Sequence, residues 1–126
     1  MLVYYGPGKS GGGLSESDAQ KISDESIVQA QKGDYKGAAA KMEEAYQKSN
    51  DPSQKAYFAN VIARHYFFAK DYDMGSKWMD IAINGYKSVG DQDKADSLSR
   101  DKEVYLTLKE VDGTESEPRE GSSDGR

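Results

Sequence analysis

The chain has 126 residues, a formal charge of -5 from 17 Lys+Arg against 22 Asp+Glu, no cysteine and one histidine, His65. That length fits one domain, and the lack of cysteine excludes a disulfide scaffold, a thiol nucleophile and a cysteine zinc site. A single histidine excludes most histidine-rich metal sites within one chain, and the acidic balance argues against a general nucleic-acid coat.

No apolar run is long enough to span a bilayer. Met1–Tyr5 is short for a signal core and has no basic flank before it, so a cytoplasmic protein is expected, with a removed leader left open. Gly6–Gly13 reads GPGKSGGG, a flexible leader with no helical period. The last fifteen residues, from Asp112, hold five acidic and two basic residues and nothing apolar. Such a tail buries nothing to offset its ordering entropy, so 1–14 and 112–126 are expected to be loose ends around a domain at 15–111.

Between the ends the pattern predicts five helices and no strands. Ser15, with Asp18 three residues on, opens a first helix that runs to Lys32. Gly33-Asp34 ends it and caps a second, Tyr35–Lys48, with Ala38, Met42, Ala45 and Tyr46 on one face. Ser49–Pro52 is a loop. The third helix, Ser53–Lys70, carries Tyr57, Phe58, Val61, Ile62, Tyr66, Phe67 and Phe68 around more than one face, the mark of a central helix. The fourth is expected over Asp73–Ser88 and the fifth over Gln92–Glu110, with Asp91 as its N-cap. The first helix has only Ile22, Ile27 and Val28 to bury and reads as the weakest packed.

An internal repeat links two of these hairpins. Gly33-Asp34-Tyr35 and Lys70-Asp71-Tyr72 stand 37 residues apart, and the same offset matches Ala38 with Gly75, Met42 with Met79 and Ala45 with Ala82. Small residues let antiparallel helices approach, methionine fills the gap between neighbours, and the aromatic after the turn seals the hairpin. These residues resemble the tetratricopeptide repeat (TPR) family, whose unit is a helix-turn-helix of about 34 residues. The likeness covers Ala19 to Ser88, two units, with the fifth helix as a C-terminal cap. It departs from the family early in each first helix, where Ile22 and Ala59 replace the usual aromatic.

The resemblance implies an all-α array that binds a peptide or a partner helix in the concave groove of its first helices. By position, the first helix would offer Gln20, Ser23 and Ile27. The third would offer Tyr57, Asn60, Arg64, Phe67 and Phe68, with one of the two phenylalanines expected in the core. The fifth would offer Lys94, Ser97, Asp101 and Tyr105. The expected contacts are Tyr57, Asn60, Arg64, Phe68, Lys94 and Asp101. Val61 and Leu98 stand where chaperone-tail binders carry asparagine and arginine, so that specialisation is not expected.

Other features read as structural. Gly8-Lys9-Ser10 lacks the earlier glycine of a phosphate loop. His65 reads as a buried, satisfied histidine with no orienting carboxylate. Glu43-Glu44 reads as a solvated face, and Asp71 with Asp73 as turn and cap chemistry. Trp78 reads as packed on the second helix or partly exposed. The expectation is a non-catalytic protein–protein interaction module with no cofactor or metal. The alternative is a structural or assembly subunit that completes its core by self-association, since two repeats fall short of the roughly three such arrays need.

Overall fold

The computed structural model describes residues 14–116, with side chains through Val111. Five helices make up this region: α1 (Glu16–Gln31), α2 (Tyr35–Lys48), α3 (Pro52–Phe68), α4 (Tyr72–Ser88) and α5 (Gln92–Ser116). No strand occurs among the described residues. The chain is therefore all-α, a series of antiparallel hairpins in which each helix packs mainly on the next.

Local chemistry sets the boundaries. Ser15 accepts the Asp18 backbone N–H, and Asp34, Asp51, Asp71 and Asp91 each accept one from the first turn they precede. These caps satisfy backbone donors that the helix itself leaves unpaired. Three turns share one hydrogen-bond pattern. The amides of Asp34, Asp71 and Asp91 reach back to the carbonyls of Gln29, Tyr66 and Tyr86, and those of Gly33, Lys70 and Gly90 to Ala30, Phe67 and Lys87. The central residue of each turn is left-handed, with φ of 88° at Gly33, 66° at Lys70 and 82° at Gly90. Glycine adopts that conformation freely; lysine does so at a cost.

Several expected boundaries move. The third helix stops at Phe68 rather than Lys70, because a left-handed Lys70 cannot continue a right-handed helix. Pro52 is helical, not loop, and occupies the first turn, where its missing N–H would have had no partner. The last helix continues through Ser116, six residues beyond Glu110. The Gly-rich leader and the tail after Ser116 lie outside the described residues.

The core is built around α3, which buries Ala56, Phe58, Ala59, Ile62, Ala63, His65 and Phe67. Its Ala56, Ala59, Ala63 and Phe67 meet Met79, Ala82, Ile83 and Tyr86 of α4 and Ala95 and Leu98 of α5. Its Phe58 and Ile62 meet Ala39, Met42 and Ala45 of α2 and Leu14 and Ala19 at the start of the domain. Alanines at the crossings let the helices approach closely, and Met42 and Met79 are fully enclosed, as expected of flexible gap-fillers. Gly75 is smaller than its counterpart Ala38 for a reason the sequence hides: a Cβ there would lie 2.6 Å from the Phe67 ring.

By contrast α1 buries only Ala19 and Ser26. Trp78 is half-buried and meets Tyr46 edge-on, with ring centroids 5.0 Å apart. The carboxylates of α2 divide in role. Glu44 pairs with Lys48 along the helix, while Glu43 accepts a 2.7 Å hydrogen bond from Tyr66. Burial, and then that bond, push the Tyr66 phenol up to about 12. Glu43 is thus a tie between α2 and α3 rather than part of a solvated face.

Candidate functional site

Contacts beyond sequence neighbours place α1, α3 and α5 on one side of the molecule and α2 and α4 on the other. Ser26 of α1 meets His65 of α3, and Arg64 of α3 meets Asp101 of α5. On the opposite side Tyr46 of α2 meets Trp78 of α4. Among the described residues, the odd-numbered helices also carry almost all of the exposed large apolar side chains. Ile27 and Val28 lie on α1, Tyr57 and Phe68 on α3, and Val104, Leu108 and Val111 on α5; Val89 alone lies elsewhere.

Tyr57, Asn60, Arg64 and Phe68 recur every three or four residues, so α3 presents them as one stripe. Tyr57 is 49% exposed and Phe68 54%. The phenylalanine pair separates as their adjacency requires: Phe67 is buried, while Phe68 points outward. Phe67 therefore does not belong to the surface. It stacks on Tyr105 of α5 with a centroid distance of 4.3 Å and an interplanar angle of 6°. Phe68 meets the same Tyr105 edge-on and touches Tyr35 of α2, at 6.2 Å and 5.7 Å between centroids.

Arg64 occupies the centre of the stripe and is fully engaged. Its Nε donates to Asn60 Oδ1 at 2.9 Å, Nη1 to Tyr105 Oη at 3.1 Å and Nη2 to Asp101 Oδ2 at 2.8 Å. Burial works against the guanidinium charge, but the Asp101 and Tyr105 contacts outweigh it and hold the pKa above the ordinary arginine value. Three of the expected contact residues therefore form one α3–α5 clamp: Asn60 and Asp101 orient Arg64, and Asp101 neutralises it. An anion arriving here would have to displace Asp101.

Lys94 stands apart from this clamp. It lies in the first turn of α5, 3.8 Å from the Asp91 carboxylate and 5.5 Å from the Tyr86 ring centroid. Tyr86 is also influenced by Tyr57, although burial is the main cause of its raised pKa. Lys94 and Tyr57 thus mark one end of the α3–α5 surface and Phe68 the other. Gln20, offered by position on α1, bonds along its own helix to Asp24.

His65 is buried beside this surface. Its Nε2 lies 3.2 Å from Ser26 Oγ, and its Nδ1 has no partner among the described residues. Burial lowers the imidazole pKa. Among the described residues the ring has one hydrogen-bond partner, a hydroxyl across a helix interface, and no carboxylate bonds it.

The sequence pattern does not single out Tyr105 as the hub of this surface, nor Val104, Leu108 and Val111 as exposed apolar residues. Their spacing, i, i+4 and i+7, was the available signal, obscured by the charged residues between them.

No protein-family model, curated protein or solved structure matches the chain. What fold and site define is a class: an all-α array of helical hairpins with an aromatic stripe exposed on its odd-numbered helices.

Proposed function

We propose that this protein is a non-catalytic, TPR-like interaction module that binds a peptide or partner helix across α3 and α5. The observation that carries this is the pairing of Tyr57 and Phe68, each about half exposed, at the two ends of a stripe whose centre is rigidly held by the Arg64 clamp. Large aromatics on a preorganised surface lose little freedom on binding and supply most of the energy at interaction hot spots. The 37-residue repeat and the matching turns of the two hairpins support the TPR-like reading.

With Arg64 neutralised by Asp101, the reading favours an apolar or aromatic anchor on the partner over an acidic one. The test is affinity capture from the source lysate with the intact chain and with a Tyr57→Ala/Phe68→Ala variant of verified helicity. A partner captured by the intact chain alone places the interface on this stripe; equal capture by both removes it. Arg64→Ala is the poorer probe, because it strands Asp101 and loosens the α3–α5 contact itself.

A further inference from the structure

At the α3–α4 turn the surface folds into a solvent-open cavity of about 330 Å³. It is lined by Lys36 of α2, Lys70 and Asp71 of the turn, Tyr72 and Asp73 of α4, and Lys109 of α5. Segments distant in sequence thus converge on one space. Three lysines stand there against two aspartates, a local surplus of one positive charge in a chain whose total is -5.

Distances distinguish these lysines from others in the molecule. Lys102 reaches Asp80 at 2.8 Å and Lys48 reaches Glu44 at 3.2 Å, both hydrogen-bonded. At the cavity Lys36 lies 3.7 Å from Asp71 and Lys109 4.0 Å from Asp73, beyond hydrogen-bond reach. Coulomb attraction across such gaps is weak in open solvent. Asp71 is also committed elsewhere, since its Oδ1 accepts the Met74 N–H as the α4 cap. Asp73 is 97% exposed, so water screens its charge.

The backbone adds to the positive potential. The first turn of α4 lies at the cavity, and the dipole there favours an anion. The left-handed place of the turn holds glycine at 33 and 90, so this turn alone of the three carries a lysine there. Tyr72 provides an aromatic wall, braced by Phe67 at 6.2 Å between ring centroids.

We propose that this cavity binds a phosphate monoester, with the phosphate among Lys36, Lys70 and Lys109 and the organic part against Tyr72. A monoester near neutral pH carries about -1.5 to -2 charges and three acceptor oxygens, enough to engage three separate ammoniums. A carboxylate offers two oxygens and a single charge, and serves three lysines less well. This inference goes beyond the reading of the Tyr57–Phe68 stripe and does not rest on it.

NMR of the full chain, following backbone amides and lysine side chains, tests it. Inorganic phosphate is the first probe, titrated at constant ionic strength made up with sodium chloride. The expected result is saturable shifts confined to Lys36, Lys70–Asp73 and Lys109, half-complete in the millimolar range, as solvent-open ammoniums provide. Phenyl phosphate, which adds a ring for Tyr72, should bind several-fold tighter than inorganic phosphate. N-acetyl-phosphoserine amide should also bind, and the tighter of the two esters tells a small aromatic ester from a phosphorylated side chain. Lys36→Gln and Lys109→Gln, both at exposed side chains, should each weaken binding several-fold with helicity unchanged, and the pair should abolish it. Lys109→Arg should retain it. Asp73→Asn removes a competing carboxylate and should tighten it.

Shifts that chloride alone reproduces, that never saturate, or that centre on other lysines such as Lys94 overturn the proposal. So does undiminished binding by the Lys36→Gln/Lys109→Gln variant, or phenyl phosphate that binds no tighter than inorganic phosphate. Weaker binding by Asp73→Asn would make that carboxylate part of the site and also overturn it.

Discussion

The α1–α2 and α3–α4 hairpins share a turn, a capping aspartate, an aromatic after it and a methionine one face along, yet they are packed differently. In α3–α4 the crossing is lined by Ala56, Ala59, Ala63, Phe67, Met79, Ala82, Ile83 and Tyr86. In α1–α2, α1 contributes little beyond Ala19 and Ser26, and the latter spends its hydroxyl on His65. Equal local signals thus produce unequal stability, because the turn fixes direction while the buried apolar area fixes strength. The first hairpin should be the one that opens.

The sharpest test removes the anchor of the stronger hairpin. Phe67→Ala empties a buried site and frees Tyr105, so it should cost about 3–5 kcal/mol in chemical denaturation. The equivalent truncation on α1, Ile27→Ala, removes a side chain already 47% exposed and should change stability by about 0.5 kcal/mol or less. Similar losses at both sites would break the contrast.

The matched small residues come next. Gly75→Ala drives a methyl group into the Phe67 ring, at 2.6 Å before relaxation, and should destabilise by about 1–3 kcal/mol. Thermal melts of this variant read the loss directly. An unchanged melting temperature would mean that the α3–α4 crossing is looser than its alanines imply.

The third test uses His65, the only histidine. Burial holds its pKa below the ordinary 6.5, so the fold favours the neutral ring. Its contribution is therefore complete above about 6.5, and it is lost as pH falls toward and through the folded value. Imidazole proton shifts against pH should show the lowered titration. Amide protection, taken relative to the slower intrinsic exchange in acid, should fall in α1 before α4. Titration at or above the unfolded value, or earlier opening of α4, would reverse the assignment.

The smallest effect concerns the turns. Lys70 holds the left-handed place that Gly33 and Gly90 occupy, so Lys70→Gly should raise stability by about 1 kcal/mol. A lowered melt would show that the contacts of Lys70 outweigh its backbone strain.

The five helices, their turns and the central place of α3 are legible in the chain alone. Those features depend on capping oxygens, left-handed turn residues and apolar period, which act within a few residues. The chain also puts Tyr57, Asn60, Arg64, Phe68 and Asp101 on helix faces that the structure brings close together. Which of Phe67 and Phe68 is buried depends on packing, since two adjacent aromatics on one helix differ only in what the next helices present to them. The same holds for Arg64. Its charge reads as free in the chain, and it is neutralised by an aspartate 37 residues away, because ion pairing depends on distances that only the packing of α5 against α3 creates.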